Sequence, residues 1–236
     1  MRTLLSSLAI IGGVGMINLS CHSPKQPLRL PAAELEAQLG ESLLQCVNKE
    51  ANWHTTLVKS DKAGRYKLLM DNLQKILAHP KVEEYFHFYP LRIYEIKDNH
   101  NLGIYLLPGH IILFGRGLWN CFTIPQQADY LLYHCLAHLA LRHPLQLLLR
   151  DYTLKQLEEM SQKKQHPLCS TIAQSMLLQS FPLDMEQAVD SLLAQWFKAM
   201  GIRPSPISFA LLPCSDELAD EEIFTPGMAH PALGEK

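Results

Sequence analysis

The chain has 236 residues, of which 47% are apolar and 19% are charged, and its formal net charge is −2. This length suits one domain that buries a sizeable core. The nearly balanced charge gives no electrostatic reason to expect DNA, RNA or an anionic membrane surface as a partner. Nucleic-acid binding is therefore set aside.

The first twenty residues have the layout of a secretory signal. Arg2 provides a positive charge, residues 4–19 are mostly apolar or small, and a polar stretch follows Cys21. We therefore expect residues 1–20 to be removed as a lipoprotein-type signal peptide. A signal for soluble secretion and a retained membrane anchor are the alternatives, although the glycines in this stretch weaken a membrane-spanning helix.

Cys21 is expected to carry a lipid. A cysteine that follows a small residue at the end of the apolar run resembles the bacterial lipobox, with Asn18 at the place where Leu or Val is usual. His22 stands where an Asp would retain a lipoprotein in the inner membrane. The resemblance to this sorting rule implies a cell-envelope lipoprotein of the outer membrane that faces the periplasm.

From residue 31 onward, periodic apolar patterns predict several helices and a small sheet. The predicted helices are 31–48, 66–78, 127–143 with a further stretch to 164, 168–179 and 182–200, and the predicted strands are 91–97, 104–107 and 110–114. Helices, then a few strands, then more helices indicate an α+β fold that is mainly helical. We predict one folded domain with an N-terminal helical segment at 21–64, a core at 65–205 and an irregular tail at 206–236.

Five cysteines follow Cys21, namely Cys46, Cys121, Cys135, Cys169 and Cys214. In an oxidising compartment four of them could form two disulfides and one would remain, but the sequence does not assign the pairs. Buried free thiols are an equally open alternative. Cys169 and Cys214 are candidates for one bond.

Two histidines and two carboxylates occur at helical spacing. His134 and His138 are four residues apart on a predicted helix. That spacing puts both imidazoles on one face, about 6 Å apart along the axis, where they could bind one zinc ion. Glu186 and Asp190 repeat the spacing on the last predicted helix and could supply a third ligand. Taken alone, HxxxH arises often by chance, and the two carboxylates also fit a solvated helix face.

Together these segments resemble the gluzincin metallopeptidases of the HtpX, BepA and Oma type, the forty-eighth metallopeptidase family. That family carries HExxHxxxxH on one helix and ExxxD on a later one. This chain has His134-Cys135-Leu136-Ala137-His138 with His143 at the trailing position, and Glu186 to Asp190. The segment 101–117 resembles the family's N-A-F-x-x-P-G-G-x-I-x-V-x-x-G hairpin. The resemblance covers residues 65–205 and implies a zincin-like fold with this hairpin beside the zinc helix.

The resemblance also implies roles for particular residues. His134, His138 and Glu186 would be the ligands of one zinc ion per chain, and Asp190 would orient one of the histidines. The strand that pairs with an extended substrate would be the one formed by His110, Ile111, Ile112, Leu113 and Phe114. His230 is the candidate for the family's His-Pro pair near the metal, although the usual downstream Arg is absent.

One position departs from the family pattern. Cys135 stands where the family has the glutamate that acts as general base, and a thiol is shorter and has a single acid–base atom. Loss of general acid–base help typically removes a factor of about 10²–10⁴ in rate. We therefore expect hydrolysis to be slow or absent. A Cys135 thiolate that acts as base or nucleophile is the alternative.

The resulting expectation is a zinc-binding quality-control protein of the cell envelope that recognises unfolded or extended polypeptides and cleaves them poorly. An active zinc metalloendopeptidase is the first alternative. A metal-free, chaperone-like binding module is the second. Zinc content and a cleavage assay distinguish the three.

Overall fold

The structure, a computed structural model, describes the chain in seven stretches. They are residues 33–51, 53–58, 67–87, 90–121, 125–162, 166–178 and 180–202. The predicted signal peptide, Cys21, Cys214, His230 and the tail at 206–236 lie outside these residues. Within the seven stretches, no helix combines the length and the apolar character that a membrane span requires.

Helices surround a small sheet. The helices are α1 (Ala33–Glu50), α2 (Lys67–Leu77), α3 (Pro80–Phe86), α4 (Arg116–Cys121), α5 (Pro125–Ala140), α6 (His143–Asp151), α7 (Leu154–Gln162), α8 (Leu168–Leu178) and α9 (Leu183–Met200). The strands are β1 (Thr55–Leu57), β2 (Arg92–Ile96), β3 (Ile104–Leu107) and β4 (Ile111–Gly115). The predicted α+β class is therefore confirmed.

The four strands form one sheet in the order β1-β2-β4-β3. β2 and β4 are parallel, with Arg92 opposite Ile111, whereas β1 and β3 are antiparallel to their neighbours. β4 is thus an interior strand, and all five of its residues are buried. In the described sheet the edges are β1 and β3.

The predicted substrate edge is wrong. It consisted of His110, Ile111, Ile112, Leu113 and Phe114, but β4 pairs with β2 on one side and β3 on the other, so both rows of its backbone groups have strand partners. His110 is not in the strand. It follows Gly109 in the turn before β4, and both residues have left-handed backbone, with φ of 58° and 76°.

Alternating side chains divide the interior into two cores, one on each face of the sheet. Ile93, Leu106 and Ile112 pack with α2, α5 and α9. Ile96, Leu107, Ile111 and Leu113 pack with α1, α6, α7 and α8. Because successive side chains of a strand point to opposite faces, the sheet lies between two helical layers. Helix α1, from the predicted N-terminal segment, thereby contributes to a core of the domain.

Several helix boundaries follow from local signals. Helix α9 starts after Pro182 and ends at Gly201, which adopts the left-handed conformation (φ 67°) typical of a helix C-cap. Pro80 is the first residue of α3, a position where its missing N–H costs nothing. Strand β1 and helices α3 and α4 were not among the predicted elements.

The predicted end of the histidine helix is also wrong. Helix α5 ends at Ala140, three residues before the predicted end at His143. Pro144 cannot continue a helix interior, and the chain turns at Arg142, whose φ is 57°. His143 therefore starts a new helix, α6, and the following stretch is divided between α6 and α7.

A disulfide joins α1 to α8. Cys46 in α1 is bonded to Cys169 in α8, with their Cα atoms 5.7 Å apart and a sequence separation of 123. The candidate bond between Cys169 and Cys214 is therefore wrong. Cys135 is free and buried.

This bond is expected to be a large contributor to stability. The double substitution Cys46→Ala/Cys169→Ala should lower the free energy of unfolding by about 3–5 kcal/mol, because a loop of this length gains much conformational entropy in the unfolded chain when it is opened. Urea unfolding measures the change. A reducing agent should lower the stability of the wild-type protein but not that of the double variant, and equal sensitivity of both would contradict the assignment.

Candidate metal centre

Helix α5 presents two imidazoles to the same point. His134 and His138 are one turn apart, and their Nε2 atoms approach to 3.1 Å. Leu132 and Leu136, on the opposite side of the helix, are buried in the core with α9. This apolar face fixes the helix against its neighbours and leaves both histidines pointing toward the start of α9.

Helix α9 supplies the third group. Oε2 of Glu186 lies 3.5 Å from Nε2 of His134 and 3.4 Å from Nε2 of His138. Glu186 is in the first turn of α9, and Val189 and Leu193 on the same helix pack into the core that holds α5. Packing between two helices far apart in sequence therefore brings the three predicted ligands together.

The spacing of these atoms fits a tetrahedral zinc ion. Zinc binds nitrogen and carboxylate oxygen at about 2.0–2.1 Å, so two ligands of a tetrahedral ion lie about 3.3–3.4 Å apart. The three observed separations are 3.1, 3.4 and 3.5 Å. Two imidazoles and one carboxylate are also a donor set that suits zinc better than calcium or magnesium, which prefer oxygen alone. The residues present fit the metal.

The second nitrogen of His138 is held by His143. Their Nδ1 atoms are 3.0 Å apart, and both side chains are buried. Burial, and then the neighbouring His138, lowers the pKa of His143 to about 4, so its ring is neutral and can accept a hydrogen bond. His138 would then donate from Nδ1 and keep Nε2 available for a metal, which is the arrangement that orients metal-binding histidines.

Asp190 does not make this contact. The sequence predicted that it would orient His134 or His138, but for His138 the contact comes from His143, and the Asp190 side chain is exposed. Asp190 lies near Tyr130, one turn before His134. Burial first, and then the negative charges of Asp190 and Glu186, raise the pKa of the Tyr130 hydroxyl. A role of Asp190 toward His134 stays a prediction.

An aromatic ring covers the inner side of the site. Phe181, in the loop before α9, stacks on His138 with ring centroids 3.9 Å apart and an interplanar angle of 26°. The His138 side chain is only 1% exposed, whereas those of His134 and Glu186 are both 17% exposed. The site is therefore closed behind His138 and reached from the side of His134 and Glu186.

Cys135 is turned into the protein interior. Its side chain is 3% exposed and packs in the core between the sheet and helices α5 and α9. Burial is the main cause that raises the pKa of its thiol to about 12. Cys135 is thus an apolar packing group.

Sequence reasoning found the three converging groups but not those around them. His143 matched the trailing histidine of the family motif, yet its contact with His138 depends on the turn at Arg142. Phe181 gave no signal beyond being an aromatic residue before Pro182. A histidine directly before a proline, close behind HxxxH, was the available sign that α5 ends and His143 turns back.

Two comparisons with known proteins found no relative. No family model matches the sequence, and no curated protein matches it either.

Proposed function

We propose that this protein is a zinc-binding member of the gluzincin metallopeptidases with a zincin-like fold, in which peptide hydrolysis is impaired. The observation that carries the proposal is the convergence of His134, His138 and Glu186 from two helices, at separations that match a tetrahedral ion. A chance HxxxH on an apolar helix gives no reason for a carboxylate to meet both imidazoles.

The three residues would hold one zinc ion and leave a fourth position open on the exposed side. When bound, zinc polarises a carbonyl oxygen and lowers the pKa of water. His143 would fix the orientation of His138 through Nδ1, and Phe181 would exclude solvent from its other side. These groups bind and orient, but none of them replaces the missing general base.

The position of Cys135 supports impaired hydrolysis. A general base must lie within hydrogen-bond reach of the proton it takes, directly or through one water molecule. The thiol of Cys135 is buried in an apolar core, whereas His134 and Glu186 reach the surface. We infer that binding of polypeptide is retained and that cleavage is slow or absent.

An extended polypeptide would bind by adding a strand to an edge of the sheet. Since β4 is interior, we propose β3 as this edge, because Leu106 packs in the same core as α5. The N–H of Gly115 donates to the carbonyl of Gly103, and bonded pairs alternate in an antiparallel ladder. The backbone groups of Ile104 and Leu106 therefore point away from β4.

The disulfide between Cys46 and Cys169 supports an oxidising compartment. It agrees with the exported lipoprotein proposed from Cys21, anchored to the outer membrane and facing the periplasm. In that place the protein would act in quality control of unfolded periplasmic or outer-membrane polypeptides.

The proposal is tested by zinc content and cleavage measured on the same purified mature protein. We expect one zinc ion per chain, and binding of unfolded casein with little cleavage. Chelator-sensitive cleavage at the rate of an ordinary metallopeptidase would establish the active endopeptidase instead. Casein binding by a protein that holds no zinc would establish the metal-free binding module.

A further inference from the structure

Helix α1 carries a buried carboxylate. The side chain of Glu36 is 2% exposed, whereas Glu34 and Lys49 on the same helix are exposed. A buried charge is costly unless it is paired and hydrogen-bonded. The partners of Glu36 therefore indicate what it stabilises.

Its principal partner is Arg142, 106 residues further along the chain. Nε of Arg142 donates to Oε2 of Glu36 at 2.6 Å, and the same oxygen lies 2.5 Å from a terminal guanidinium nitrogen. The other carboxylate oxygen of Glu36, Oε1, accepts a hydrogen bond from the backbone N–H of Gly109 at 3.5 Å. Glu36 thus joins α1 to two turns with left-handed backbone.

The turn at Arg142 is where the histidine helix ends. Its φ of 57° is sterically unfavourable for a residue with a side chain, so surrounding contacts must stabilise it. The next residue, His143, starts α6 and brings Nδ1 to 3.0 Å from Nδ1 of His138. The ion pair thus holds the residue that sets the direction of His143.

We propose that Glu36 is a positioning residue for the metal centre, acting through Arg142 and His143 on His138. This inference depends on the proposed zinc site. A group that orients a metal-binding histidine typically changes metal affinity by about 10–100-fold when it is removed. We expect Glu36→Gln to weaken zinc binding by about 10-fold, the lower end of that range, because it acts one residue further away.

A second ion pair on α1 provides a control for the loss of charge. Glu41 pairs with Arg92, and its side chain is 43% exposed, compared with 2% for Glu36. Glu41→Gln removes the same charge from the same helix but breaks a contact to β2 rather than to the turn at Arg142. It should leave zinc affinity within about 2-fold of wild type, the change expected from independent sites.

The decisive measurement is a double-mutant cycle of Glu36→Gln and His143→Ala, with zinc affinity measured by competition with a chromophoric chelator. In the His143→Ala protein, Glu36→Gln should change affinity by less than about 2-fold, because the link to His138 is already broken. An unchanged 10-fold effect in that background would overturn the proposal, as would equal effects of Glu36→Gln and Glu41→Gln.

Two further measurements separate positioning from folding. The visible spectrum of bound Co²⁺ should change in Glu36→Gln but not in Glu41→Gln, whatever each substitution does to the melting temperature of the metal-free protein. Arg142→Lys, which keeps the charge but loses the planar donor pair, provides the same test if Glu36→Gln does not fold. A wild-type protein that binds no zinc would refute the proposed function, whereas a wild-type affinity in folded Glu36→Gln would refute only this inference.

Discussion

Glu186→Gln is expected to lower zinc affinity by about 100-fold or more, because it removes the only charged group of the three proposed ligands, and loss of a group that merely orients a ligand already costs about 10–100-fold. The substitution keeps the shape of a side chain that is 17% exposed, so the fold should be retained. His138→Ala should have an effect at least as large, although it also opens a cavity beside Phe181. Equilibrium dialysis followed by metal analysis measures both.

His100→Ala is the control for these two variants, because His100 is an exposed histidine in the turn between β2 and β3. It should bind zinc as the wild-type protein does. A chelator should lower the melting temperature of the wild type and of the control but not that of Glu186→Gln, since a ligand stabilises only a protein that binds it. Full zinc content in both site variants would disprove the predicted ligand set.

Cys135→Glu is expected to raise the rate of casein hydrolysis by about 10²–10⁴-fold, the contribution that a general base typically makes. The longer side chain would start between His134 and His138 on α5, at the position where the resembled family has its general base. The rate of release of soluble peptides from unfolded casein, with and without chelator, measures the gain.

Cys135→Gln provides the comparison for this gain of activity. Glutamine has the size of glutamate but cannot take the proton, so this variant should remain as slow as the wild type. Similar rates for the Glu and Gln variants would show that the new side chain acts through packing. A Cys135→Glu protein that holds zinc but gains no activity would show that more than the general base is missing.

Local signals predicted the elements whose ends are set by nearby residues. Pro182 and Gly201 delimit α9 in the sequence as they do in the structure, and the run from Ile104 to Leu107 is β3. His134 and His138 share a face because the helix period requires it. Helix spacing alone did not predict that Glu186 lies beside them. The family resemblance implied it, and in the structure it results from the packing of α9 on α5.

What the sequence did not reveal depends on contacts between distant segments. The strand at 111–115 has the same apolar pattern whether it lies at an edge or in the middle of a sheet, and its parallel pairing with β2 decides the matter. Glu36 looks like an ordinary acidic residue in the first turn of an amphipathic helix. Its burial is visible only once Arg142 is brought beside it.

The disulfide and the proposed metal centre would connect different parts of the chain. The covalent bond between Cys46 and Cys169 encloses α5 and both histidines, whereas Glu186 lies beyond the loop that it closes. A metal ion at the three proposed ligands would connect α9 to the segment that the disulfide encloses. Chelation should therefore expose α9 to proteolysis first, whereas reduction should expose α1, and the fragments would show which attachment had been released.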